Sequence, residues 1–205
     1  MEHGRLDRLA PLAGAAFAVL FTVGFLTSGE TPDTKATGEE VISHYADSGK
    51  TFFTILVLLI GAVLFVFFAG VLRDALRAGG REWLATVAFG GGLLYALGLA
   101  VFAMSQIALT DAADLGQPQV AQALNIFDND NFFPAVLGFS VLLLATGWHT
   151  LQSGVLPRWL GWASVVLGVL AVAGPAGFVV FLVFPIWVLA ASILLYRRPV
   201  VAVEP

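Results

Sequence analysis

Long apolar runs separated by short polar segments set the pattern of this chain. The clearest run covers residues 52–72, FFTILVLLIGAVLFVFFAGVL, 21 residues without a charge. As a helix rising 1.5 Å per residue it is roughly 31 Å long, which matches the ~30 Å hydrocarbon core of a bilayer. Comparable runs predict spans at about 9–27, 52–72, 83–107, 132–151, 157–173 and 178–196. The predicted fold class is all-α: a polytopic membrane protein, one transmembrane domain over residues 1–205, built as a six-transmembrane-helix bundle with two short outer amphipathic helices.

The first run is longer than the apolar part of a secretory signal, and the following FLTSGETP offers no small-residue cleavage site, so it is read as a retained span. Pro11 falls where a helix start tolerates it. Ala10, Gly14 and Ala18 recur at four-residue spacing and give a smooth face for close helix packing. In the third span Gly92, Ala96 and Ala100 form a second such face, whereas Gly98, about 160° away from Ala96, is expected to tolerate alanine. Gly174-Pro175-Ala176-Gly177 predicts a hairpin between spans five and six.

Two polar segments lie between spans. In residues 28–50, Thr37 followed by Glu40 has capping-box spacing. A helix from Gly38 to Asp47 places Val41, Ile42 and Tyr45 on one side and Glu40, His44 and Asp47 on the other. In residues 110–131, Pro118 precedes Val120, Leu124 and Phe127, whose i, i+4, i+7 spacing predicts a second short helix with these three as its apolar stripe. The following FDNDNFFP alternates Asp128 and Asp130 with asparagine, but lacks the glycine and distal glutamate of a calcium loop, and is read as a turn capping span four. Both short helices are expected to pack over the outer end of the bundle as a partial lid, with Tyr45 and Phe127 pointing inward.

Composition removes the soluble alternatives. The chain is 59% hydrophobic and 12% charged, with a mean hydropathy of +0.89, against roughly 25% charged in a soluble domain. There is no cysteine, which excludes disulfides, thiol catalysis and thiolate metal sites. The side on which each charge falls is more telling than the net charge of -4. The predicted inner segments hold Arg5, Arg8, Arg73, Arg77, Arg81, Arg158, Arg197 and Arg198, and the outer ones only Lys35 and Lys50. That asymmetry predicts cytoplasmic termini and a multi-pass protein of the bacterial inner membrane.

The acidic helix ending in HYADSGK before span two, the LPRWLGW opening of span five and the Arg-Arg exit from span six resemble a large group of uncharacterised actinobacterial integral membrane proteins of the domain-of-unknown-function type. The resemblance implies a six-span inner-membrane protein, and it transfers no catalytic residue.

Candidate chemistry is sparse. No predicted span carries Asp, Glu, Lys or Arg in its interior, which argues against an ion-coupled transporter or proton pump. Candidate catalytic residues are the outer Glu40, His44, Asp47, Asp128 and Asp130. Candidate ligand-binding residues are Gln106, Tyr45, Phe127 and, around the mid-span proline, Pro185 and Trp187. Glu40, His44 and Asp47 share a face, but a solvated surface explains it better than a metal site, and no metal or cofactor is expected. The partners expected are the bilayer and a lipophilic small molecule or a membrane protein, not nucleic acid, with homo-oligomerisation left open. Whether the protein is an enzyme is not decided by the sequence. The leading reading is a bundle that binds a lipophilic ligand or partner beneath an acidic outer mouth. The alternatives are a membrane-embedded enzyme acting on a lipid or isoprenoid through an outer carboxylate as general acid, and a passive transporter.

Overall fold

The computed structural model describes residues 8–28, 30–46 and 48–197, and among these residues the regular structure is entirely helical. The helices, in chain order, are α1 (Leu12–Ser28), α2 (Gly38–Tyr45), α3 (Ser48–Arg77), α4 (Glu82–Asp114), α5 (Pro118–Asp130), α6 (Phe133–Ser153), α7 (Arg158–Ala171) and α8 (Ala176–Tyr196). Four helical stretches among the described residues are long and apolar enough to cross a membrane, falling in α3, α4, α5 with α6, and α8. The sequence predicts six spans. The apolar α1 and α7 occupy the other two places, but at 17 and 14 residues they are about 25 Å and 21 Å long, short of the ~30 Å core.

Helix contacts pass from α1 to α3, α4, α6, α7 and α8, and from α8 back to α1. The middle of this arrangement is aromatic. Tyr95 of α4 meets Phe65 of α3 at 4.6 Å between ring centroids, Phe184 of α8 at 5.0 Å, Phe17 of α1 at 5.9 Å and Phe139 of α6 at 6.0 Å. These tilted and edge-on contacts set the negative face of one ring against the positive edge of another. Pro185, inside α8, is buried with Phe184 and Trp187 around it. The Trp187 indole donates to Ser164 Oγ on α7 at 2.9 Å, so this polar atom is satisfied within the bundle. Ser192 of α8 donates to the Pro11 carbonyl and accepts from the Ala15 amide at 3.0 Å, taking the place of a backbone bond at the start of α1.

One end of the bundle is marked by the turn at residues 78–81. Arg77 and Glu82 form an ion pair across it at 2.8 Å, and Gly79 lies against His149, Ser153 and Val155 at the end of α6. The exposed indoles of Trp83, Trp148, Trp159 and Trp162 belong to the helix ends gathered here, as in an interfacial aromatic belt.

The opposite end carries the short helices α2 and α5. The capping box at Thr37 is formed: Glu40 N donates to Thr37 Oγ1 at 3.3 Å, and the Glu40 carboxylate accepts from Thr37 N at 2.8 Å. Val41 and Tyr45 of α2 pack with Leu109 and Ala112, on the part of α4 that runs on past its predicted end at 107, and with Ala121 of α5. Gly38 sits directly on the Pro118 carbonyl, where any Cβ would collide with backbone.

Three expectations are corrected. Two of the three residues of the predicted α5 stripe face outward: Val120 and Phe127 are exposed, Phe127 by 53%, while Leu124 is half-buried against the Val41 and Tyr45 cluster and Ala121, Asn125 and Asp128 are buried. The cause is the neighbouring 30–37 segment, whose carbonyls need donors. Asn125 Nδ2 donates to Asp33 O at 2.7 Å, Asn129 Nδ2 to Pro32 O at 3.1 Å and Gln122 Nε2 to Ala36 O at 3.3 Å. The FDNDN segment does not cap α6, whose N-cap Phe132 makes no side-chain bond, because Asn131 turns instead toward Ser105 at 2.8 Å. Finally, Gly98 is not a tolerant position. A Cβ there would lie 2.6 Å from the backbone nitrogen of Ala135, so α4 has two close-packed faces, one toward α3 through Gly92 and one toward α6 through Gly91 and Gly98.

Candidate functional site

The polar side of α5 buries a carboxylate. Ala121, Asn125 and Asp128 recur at i, i+4, i+7, so Asp128 is carried on the buried face of α5 with only 6% of its surface exposed. It is the one buried acid among the described residues. Its Oδ1 accepts from Ser105 Oγ, from Gln106 Nε2 at 3.1 Å and from Asn131 Nδ2 at 3.4 Å, while Oδ2, among the described residues, accepts only from Gln106 Nε2, also at 3.1 Å. Burial, the larger effect, favours the protonated carboxyl, and these donors oppose it by favouring the ionised form. No Lys, Arg or His pairs with it among the described residues.

Gln106 extends the network to α2 by donating to Tyr45 Oη at 3.4 Å. Tyr45 is 1% exposed. Burial, then the neighbouring charge of Asp128, push its phenol well above the usual tyrosine range, against a smaller opposing effect of the Gln106 bond. The phenol therefore stays protonated and keeps a proton to donate.

This network lies on the wall of a cavity of about 930 Å³. Its apolar part is lined by Phe21 and Phe25 of α1, Val57 and Leu58 of α3, Phe102 of α4 and Phe181 of α8. Its polar part is lined by Tyr45, Thr51, Thr54, Gln106 and Asp128, with Glu30, His44 and Lys50 adding charged or titratable groups. The volume lies inside the roughly 300–1,000 Å³ of small-molecule sites, and mostly apolar walls with a few converging polar groups are what such sites have.

The structure brings together three residues that the sequence places separately: Tyr45, Gln106 and Asp128. His44 also reaches the cavity, its exposed ring 4.9 Å from that of Tyr45. Glu40 is occupied in the capping box, Asp130 is exposed, Phe127 points away, and Pro185 and Trp187 lie in the core without lining the cavity. Asp47 lies outside the described residues. Among the described residues no group of three or more His, Asp or Glu is placed to hold a metal ion. Sequence reasoning misses Ser105 and Asn131 as site residues. The signal available is the adjacent Ser105-Gln106 pair at the end of an apolar run, two side chains needing partners where a neighbouring helix could supply them.

The chain belongs to a family defined by a domain of unknown function, DUF4386, whose profile matches residues 12–198. No curated protein and no solved structure matches it.

Proposed function

We propose that this member of the DUF4386 family is a six-span protein of the bacterial inner membrane that binds a lipophilic ligand beneath its lid, in the cavity bordered by Asp128. The observation that carries the reading is the junction, in one cavity, of an aromatic wall with a buried hydrogen-bonded carboxylate. Apolar walls supply affinity through surface removed from water or lipid headgroups, and a few fixed polar groups supply orientation. In this reading α1 and α7 complete the six spans, the bilayer thinning or adjusting locally to their length. The arginine-rich turn end faces the cytoplasm and the lid faces outward.

The test is mass spectrometry of small molecules extracted from protein purified in mild detergent. A molecule retained by the wild type and lost from Thr54→Trp, which puts an indole into the cavity, is the expected result. Equal recovery from both proteins would contradict binding in this cavity.

A second reading rests on the same carboxyl. A general acid needs a carboxyl kept protonated by burial beside a substrate site, and burial of Asp128 works in that direction. On this reading Asp128→Asn keeps the ligand but abolishes its conversion, whereas a pure binding protein releases the ligand chemically unchanged. A passive transporter has less support, since no described ring of charges lines the cavity.

A further inference from the structure

Building on that reading, we infer that the ligand is a lipophilic cation, an alkyl chain or ring system carrying a protonated amine, with the ammonium held by Asp128. If the cavity binds no lipophile at all, this inference fails with the reading it rests on. If it binds lipophiles without preferring a cation, only this inference fails.

A carboxylate offers about four lone-pair sites. Ser105, Gln106 and Asn131 crowd Oδ1, while Oδ2 has only its share of the Gln106 amide. Among the described residues every partner is a neutral donor. Buried carboxylates are ordinarily matched by a cation, because an unmatched charge in a low-dielectric site is costly. Asp128 has no such match among the described residues: burial, the larger effect, favours its neutral carboxyl, its neutral donors oppose that, and it borders a volume large enough for a ligand whose charge would hold it ionised. A ligand ammonium at Oδ2 would supply the missing charge through a charge-assisted hydrogen bond, about twice as strong as a neutral one.

The rest of the lining agrees. The rings of Phe21, Phe25, Phe102, Phe132, Phe178 and Phe181 accept an apolar body, and their faces attract a cation. Glu30 adds a second acid to the cavity wall. Lys50 is the basic side chain on that wall, and it already has an interaction of its own. A fatty-acid anion placed in the same cavity would meet Asp128 as a like charge. A neutral alcohol would fit the apolar part and leave Asp128 without a counter-charge.

The experiment compares three probes of equal chain length, decylamine, decan-1-ol and decanoate, by thermal unfolding of the full chain in maltoside micelles at pH 7. Each is run against wild type, Asp128→Asn and Thr54→Trp, the last removing any shift due to partitioning into the micelle. The expected result is that decylamine stabilises the wild type with an apparent affinity roughly tenfold or more above that of decan-1-ol, the scale of one charge-assisted hydrogen bond. Decanoate gives no shift beyond the Thr54→Trp background, and Asp128→Asn loses the preference for the amine. Equal affinity for decan-1-ol or decanoate, or an undiminished amine preference in Asp128→Asn, overturns the inference while leaving cavity binding intact. No cavity-dependent shift with any probe overturns both. Should Asp128→Asn fail to fold, the ranking of the three probes on the wild type alone decides.

Discussion

At the scale of single residues, buried polar side chains hold the segments around the cavity together through specific partners. Asn125 is 1% exposed and spends its amide on the Asp33 carbonyl, tying the 30–37 segment to α5. Asn125→Ala leaves that carbonyl short of a donor and is expected to cost about 1–3 kcal/mol, measured as a lower midpoint of thermal unfolding in detergent. Ala123, two residues earlier on the same helix, is exposed, and Ala123→Gln should change the midpoint little. Tyr45 allows a finer dissection. Tyr45→Phe removes a hydroxyl whose bond to Gln106 is long, 3.4 Å, and should cost less than about 1.5 kcal/mol. Tyr45→Ser also removes a ring packed against Leu109 and Ala112, and should cost about 3–5 kcal/mol, the range for deleting a buried aromatic. If the two variants were equally stable, the ring would not be holding α2 in place.

At the scale of helices, close approach decides which glycines matter. Gly98→Ala pushes a methyl group into the Ala135 backbone, whereas Gly90 has nothing within 4 Å of the same added atom. Gly98→Ala should therefore lower the unfolding midpoint, and Gly90→Ala should hold or raise it, because alanine is favoured over glycine inside a helix by roughly 0.5–1 kcal/mol. The helices also show what is legible in the sequence. Apolar run length locates α3, α4, α6 and α8, because a ~30 Å core imposes it, and Thr37 with Glu40 locates the start of α2. Periodicity misjudges Val120 and Phe127 of α5, though not Leu124, since it assumes that the buried face is the apolar one. That assumption fails where the neighbour is an irregular segment with carbonyls to satisfy, and there Asn125 and Asn129 turn inward while Phe127 turns out. Gly98 is misjudged for a related reason: a helical wheel gives angles within one helix but not the number of neighbours around it. The site is half legible, with Tyr45, Gln106 and Asp128 each a candidate. Their meeting depends on three helices crossing at one point, which local sequence does not encode.

At the scale of the whole molecule, charge and cavity define two different ends. The arginines at the 78–81 turn and the lid at the opposite end predict how the protein lies in its membrane. Cysteine substituted for the exposed Gln119 should react in intact cells with an impermeant thiol reagent, and one substituted for the exposed Ala78 should react only after the membrane is opened. The reverse pattern would invert the proposed orientation and place the cavity on the cytoplasmic side. The central claim is that the cavity beside Asp128 holds a lipophilic molecule in the native membrane. Its most direct test is an experimental density map of the protein extracted from its native membranes without added ligand. The account predicts elongated density lying along Phe21, Phe102 and Phe181 and ending within hydrogen-bonding distance of Asp128. A cavity closed by repacked side chains, or one holding only separate water peaks in a map sharp enough to resolve them, would contradict it.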